Sequence, residues 1–223
     1  HVIATHPQIL TGTGDCNSQY DVFGNFSRAI TPNGTPSPHL QWDPTEQEIF
    51  DAITDKRLDE EPMATIPEGM TARAFAAQVA RERLRSAVPD VDTYCDAEIN
   101  DSMYFTLFPN FHPWGAFNRI NYRFRPVGTK VDECLMECIY TEDFEGDERP
   151  APAEYIELGI DQEWTELIPV IGNLARVFHQ DSFNLPKVQK GLETFRADGL
   201  TLTKYQEVKI RHWHAMAERF IAN

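Results

Sequence analysis

The feature that most constrains the fold is a stretch of alternating apolar and polar side chains in the middle of the chain. Within residues 117–125, Ile120, Tyr122 and Phe124 alternate with polar residues. Because successive side chains of a strand point to opposite faces of a sheet, this pattern predicts a strand with one buried face. A turn sequence at 126–129 and a strand-like run at 131–141 follow directly, which predicts an antiparallel hairpin.

The other strands and the helices predict an α+β fold. Two strand-like runs flank Gly24, and apolar spacing predicts four helices. We expect Pro44 in the first turn of the first helix, Thr71 as the cap of the second and Pro186 as the end of the third. The strand-like runs are 19–23, 25–30 and 103–108, and the helices are 44–55, 71–87, 167–184 and 203–222.

These elements predict a single domain over residues 1–223. In it, a curved antiparallel sheet wraps around the C-terminal helix, which at 20 residues would be about 30 Å long. The apolar stripe expected to face the sheet is formed by Ile210, Trp213, Ala217, Phe220 and Ile221.

Charge and cysteine content exclude several classes of protein. The 35 acidic and 20 basic residues leave a net charge of −15. A nucleic-acid or anionic membrane surface is therefore not expected, and no apolar run approaches the roughly 20 residues that span a bilayer. Cys134 and Cys138 would lie about 13 Å apart in a strand, beyond the reach of a disulfide. With Cys16 and Cys95 they indicate reduced, buried thiols in a cytoplasmic protein.

Two histidines near the start of the chain are candidate metal ligands. His1 and His6 are five residues apart, so on a continuous helix they would diverge by about 140°. Pro7 should end that helix by about His6, and the turn would then let the two imidazoles converge. The alternative is two unrelated polar histidines.

Asp181 is the best candidate for a carboxylate ligand. It lies in a mostly apolar helix, where a carboxylate is costly unless it is paired or coordinated, and Asn184 on the same face could orient it. The alternative is a surface aspartate on an amphipathic helix. Two imidazoles and one carboxylate are typical of non-haem Fe(II) that activates oxygen, and catalytic zinc is the chemical alternative.

Several segments together resemble the catalytic α subunits of Rieske-type aromatic-ring-hydroxylating oxygenases. Residues 1–8 resemble the histidines of the family's iron-binding pattern, Asp-x-x-His-x-x-x-x-His, and residues 177–184 resemble the helix that donates the iron carboxylate. Further matches are Leu-Phe-Pro-Asn at 107–110, Val-Gln-Lys-Gly-Leu at 188–192 and Tyr-Gln-Glu at 205–207. Together, these matches span nearly the whole chain.

The resemblance implies a helix-grip fold of the START-like type and a mononuclear Fe(II) held by His1, His6 and Asp181. It places Ile171 and Phe178 at the substrate pocket. It also implies O2 and an aromatic substrate, with dihydroxylation expected before monooxygenation or demethylation. A ferredoxin or reductase would pass electrons from NAD(P)H, and the assembly would be a homotrimer or an α3β3 complex with a small subunit.

The chain departs from the family pattern in three respects. Ser182 stands where many relatives carry a second aspartate, and the acidic residue that bridges to a neighbouring Rieske cluster would precede His1. The Rieske signature of paired Cys-x-His and Cys-x-x-His is absent from these 223 residues. We therefore expect the catalytic domain of a longer chain, with a Rieske [2Fe-2S] domain N-terminal to it.

The sequence is also compatible with two other functions. A helix-grip fold also suits a module that binds a hydrophobic ligand without catalysis, and such a module has no need of His1 and His6. A structural role in a larger assembly, through sheet edges and the acidic surface, is the other.

Overall fold

The computed structural model describes residues 2–14, 17–115, 117–141 and 147–222. It divides into two compact units, one of His1–Asn118 with Thr201–Asn223 and one of Arg119–Leu200. The helices are α1 (Val2–Thr5), α2 (Glu46–Ile53), α3 (Ala72–Leu84), α4 (Asp96–Asn100), α5 (Trp164–Leu167), α6 (Leu174–Thr194) and α7 (Val208–Ile221). The strands are β1 (Gln19–Val22), β2 (Phe26–Thr31), β3 (Ser102–Leu107), β4 (Phe111–Pro113), β5 (Ile120–Pro126) and β6 (Cys134–Tyr140).

The first unit contains an antiparallel sheet of β1 to β4 with α7 packed on it. In the register, Tyr20 is opposite Ala29 and Ala29 is opposite Tyr104, so these three side chains share one face. α7 contacts β1 and β2. A separate apolar cluster joins α2 to α3, with Phe50 fully buried at its centre.

The second unit is a hairpin covered by helices. β5 and β6 are antiparallel, with Tyr122 opposite Cys138. The predicted apolar face of β5 packs against α5 and α6, because Ile120 shares a buried cluster with Trp164 and Phe178. This core holds the first half of α6 in place.

The α+β prediction is confirmed, as are antiparallel strand pairing and a C-terminal helix packed on a sheet. The predicted hairpin forms from β5 and β6, and the two runs that flank Gly24 form the antiparallel pair β1 and β2. Thr71 caps α3 by accepting a hydrogen bond from the Ala74 amide at 3.2 Å. The finer prediction of a helix-grip fold, and that of a single catalytic domain over 1–223, stay predictions.

Two proline predictions are wrong. Pro44 precedes α2 instead of starting it, because Thr45 caps the helix through reciprocal hydrogen bonds with Glu48. Pro186 lies inside α6, which continues to Thr194. A proline removes one hydrogen bond, here to the carbonyl of Ser182, but residues beyond it resume the helical bonding.

The predicted C-terminal helix is too long. The Thr203 amide donates to the Glu207 carboxylate at 2.5 Å, and the Glu207 amide donates to Thr203 Oγ1 at 3.3 Å. These bonds hold a non-helical segment, so α7 begins only at Val208. Its 14 residues measure about 21 Å. The predicted stripe is largely exposed, and Met216 is the buried apolar residue of the helix.

The hairpin strands are also shorter than predicted. Phe117 has a φ of 58°, which is incompatible with an extended strand, so β5 begins only at Ile120. β6 begins at Cys134 and not at residue 131, after a turn in which Gly128 has a φ of 59°.

Candidate functional site

A short helix ends immediately before His6. α1 stops at Thr5, and His6 has φ −126° and ψ 51°, outside the helical region. Pro7 then begins a 3-10 turn in which the Ile9 amide donates to the His6 carbonyl at 3.1 Å. The prediction that Pro7 places His6 on a turn is therefore confirmed, and His6 is only 3% exposed.

The partner predicted for His6 lies outside the described residues. His1 has no described placement, so the convergence of the two imidazoles stays a prediction. His6 itself is buried, and the ring nitrogens of a buried imidazole need polar partners.

Asp181 and Asn184 lie on α6, three residues apart and both half-buried. Their neighbour Ser182 is buried at 8% exposure, whereas Phe183 points outward at 66%. Asp181 therefore lies at the edge of the buried face of α6, which is neither the fully exposed position nor the apolar interior considered from the sequence.

Ile171 and Phe178, the two predicted pocket residues, belong to the core of the second unit. They are 7% and 4% exposed. The ring centre of Phe178 lies 5.9 Å from that of Tyr122 and 5.7 Å from that of Trp164. This packing anchors α6 one turn before Asp181, and contact with a substrate stays a prediction for both residues.

The predicted ligands belong to different units, His6 to the first and Asp181 to the second. Within the described ranges, no three or more His, Cys, Asp or Glu side chains form a group able to hold a metal ion. His1 is outside that search. The triad of His1, His6 and Asp181 accordingly stays a prediction.

His179, two residues before Asp181, has a different environment. Its Nε2 lies 3.2 Å from a carboxylate oxygen of Glu163, the residue that caps α5. Its Nδ1 is buried without a hydrogen-bond partner in the described part of the chain. The contact with Glu163 ties α6 to the start of α5.

The cysteines differ in part from the prediction of buried thiols. Cys95 and Cys134 are exposed, and Cys16 lies outside the described residues. Cys138 is half-buried, and burial raises the pKa of its thiol to about 11. It is therefore protonated near neutral pH and unsuited to act as a nucleophile.

Sequence reasoning missed a polar group in the first unit. Lys209 on α7 is half-buried, and burial lowers the pKa of its ammonium to about 8. Burial also lowers the pKa of His112 to about 4, with a further contribution from the charge of Lys209. Neither residue lies in a recognisable motif, and only the register of the sheet brings them together.

None of the helices in the described ranges combines the length and the apolar character that crossing a bilayer requires. Comparison with protein-family models, with curated proteins and with solved structures finds no match for this chain.

Proposed function

We propose that the chain is the catalytic domain of a mononuclear non-haem iron oxygenase acting on an aromatic or related hydrophobic substrate. The observation that carries the proposal is the buried turn at His6. Pro7 ends α1 at the residue that the metal hypothesis requires, and His6 is 3% exposed. Burial restricts the His6 side chain, and a metal ligand is best held in a fixed position.

The ligand types fit ferrous iron. Two neutral imidazoles, from His1 and His6, and the carboxylate of Asp181 would hold the ion and leave coordination positions open. Ferrous iron in such a set activates dioxygen. Asp181 is half-buried, one turn from a core that limits the access of water.

The other named residues would act through position. Asn184, three residues after Asp181 on α6, would hold the carboxylate in one orientation. Phe178 and Ile171 would keep the region apolar, because both are part of a core that excludes water. The resemblance adds a Rieske [2Fe-2S] domain, electrons from NAD(P)H, a trimeric or α3β3 assembly and a cytoplasmic location to the proposal.

The second candidate is a helix-grip module that binds a hydrophobic ligand without chemistry. The packing of α7 on β1 and β2 favours it, since a sheet and a helix are the walls that such a module uses. The two candidates differ in their need for His6.

Metal binding separates the two candidates. His6→Ala and His39→Ala make the same chemical change, and His39 is an exposed loop residue. Both variants of the full natural chain would be loaded anaerobically with Fe(II) and desalted, and their iron measured. The oxygenase proposal predicts iron in the His39 variant and loss in the His6 variant. Equal iron in both, or none in the wild type, would favour the binding module.

A further inference from the structure

The face of the sheet covered by α7 is polar. In β2 the buried residues are Ser27, Ala29 and Thr31. In the register, Ser27 is opposite Thr106 and Ala29 is opposite Tyr104. A helix packed on a sheet normally covers branched apolar side chains, so hydroxyl groups in this position need an explanation.

Part of this polar layer is satisfied internally. The Tyr104 hydroxyl lies 2.6 Å from Thr31 Oγ1, which in turn lies 2.8 Å from Ser18 Oγ. Ser27 Oγ, in contrast, is buried without a hydrogen-bond partner among the described residues. Such a hydroxyl costs free energy unless something else bonds it.

Lys209 supplies a positive charge to the same layer. Its Nζ donates to the backbone carbonyl of Tyr104 at 3.1 Å and lies 5.1 Å from the centre of the Tyr104 ring. No Asp or Glu of the described ranges forms an ion pair with Lys209. Arg73, Arg81 and Arg85, in contrast, each form an ion pair with an aspartate. An ammonium has three donors, and a half-buried one is normally matched by an anion.

The neighbouring strand supplies no compensating charge. His112 Nδ1 lies 3.2 Å from Thr106 Oγ1, and the lowered pKa of His112 keeps it neutral near pH 7. The Trp114 ring centre is 5.4 Å from that of Tyr104, and its Nε1 is buried without a partner in the structure as described. The layer thus combines two aromatic rings with an ammonium that has no anionic partner, and with two buried polar atoms, Ser27 Oγ and Trp114 Nε1, that have no hydrogen-bond partner, among the described residues.

We propose that this layer, formed by Ser27, Tyr104, His112, Trp114 and Lys209, binds the carboxylate of a small aromatic acid. Lys209 pairs with the carboxylate, and Tyr104 and Trp114 contact the ring. A single ammonium matches the single charge of a carboxylate, whereas a phosphate dianion calls for further cations. The proposal does not depend on iron, because it uses no predicted metal ligand.

A series of three ligands tests the proposal on the wild-type chain. Acetate has the carboxylate without the ring, benzamide has the ring without the charge, and benzoate has both. Isothermal titration at pH 7 and low salt should show benzoate binding at least about tenfold more tightly than either of the others. Benzamide binding as tightly as benzoate, or no binding of benzoate, would overturn the proposal.

Matched variants assign the binding to Lys209. Lys209→Met removes the charge and keeps an unbranched side chain of similar length, and Lys204→Met makes the same change at an exposed residue of the same unit. We expect benzoate affinity to fall about tenfold or more in the first variant and to remain unchanged in the second. Equal affinity in both variants would show that Lys209 does not bind the acid.

A measurement on the wild type covers the case in which Lys209→Met fails to fold. Reductive methylation followed by peptide mass spectrometry reports the reactivity of each lysine. Benzoate should slow modification of Lys209 and leave that of Lys204 unchanged. Equal rates at Lys209 with and without benzoate would contradict the proposed site.

Discussion

Replacement of Phe178 by alanine tests how α6 is held in position. Phe178 is 4% exposed and packs between the rings of Tyr122 and Trp164, with ring centres 5.9 and 5.7 Å away. The variant loses the transfer free energy of the ring and leaves a cavity that rigid neighbours only partly fill. We expect the free energy of unfolding of the second unit to fall by about 3–5 kcal/mol.

The control is Phe183→Ala, five residues along the same helix. Phe183 is 66% exposed and contacts the ammonium of Lys187, so its loss should cost no more than about 1 kcal/mol. Amide hydrogen exchange within residues 174–182 of α6, followed at increasing urea concentration, reports the stability of this core. If both variants lose similar stability, Phe178 does not anchor α6.

Two further perturbations test ion pairs. Asp101→Ala removes the carboxylate that pairs with the guanidinium of Arg73. The Asp101 side chain is 7% exposed and that of Arg73 is 27% exposed. We expect the free energy of unfolding, measured by chemical denaturation, to fall by about 2–4 kcal/mol, which lies between the values for exposed and for buried ion pairs. Arg125 and Arg123 lower the pKa of Glu137 from 4.5 to about 2. Their stabilisation is present above pH 4.5 and is lost as the pH falls towards 2. The Tm difference between wild type and Glu137→Gln should shrink over that range, and a constant difference would contradict the assignment.

The sequence predicted the elements whose causes are local. The alternation of Ile120, Tyr122 and Phe124 specifies a strand regardless of its surroundings, and Thr71 caps a helix through its own hydroxyl. The end of α1 before Pro7 has a similarly local cause.

Errors arose where local signals compete with other contacts. Pro186 reads as a helix end, but bonding on both sides of it maintains α6. The spacing before α7 reads as helix, whereas the bonds between Thr203 and Glu207 hold another conformation.

The polar layer under α7 could not be predicted from the sequence for a different reason. Ser27, Thr106 and Lys209 are brought together by strand register and helix packing, and a one-residue shift in register would place Ser27 on the opposite face. The proposed iron ligands His6 and Asp181 are also far apart in sequence, and they were grouped by the chemistry of their side chains and by the resemblance to a family pattern. The spacing of these residues did not exclude the alternatives, which are two unrelated polar histidines and a surface aspartate.

The proposed iron site requires Asp181 as its carboxylate ligand. Its most direct test is the iron content per chain after anaerobic loading of Asp181→Ala and of Asp198→Ala, in which an exposed aspartate beyond the end of α6 is replaced. We expect about one iron per chain in the wild type and in the Asp198 variant, and almost none in the Asp181 variant. Full iron content in Asp181→Ala would contradict it.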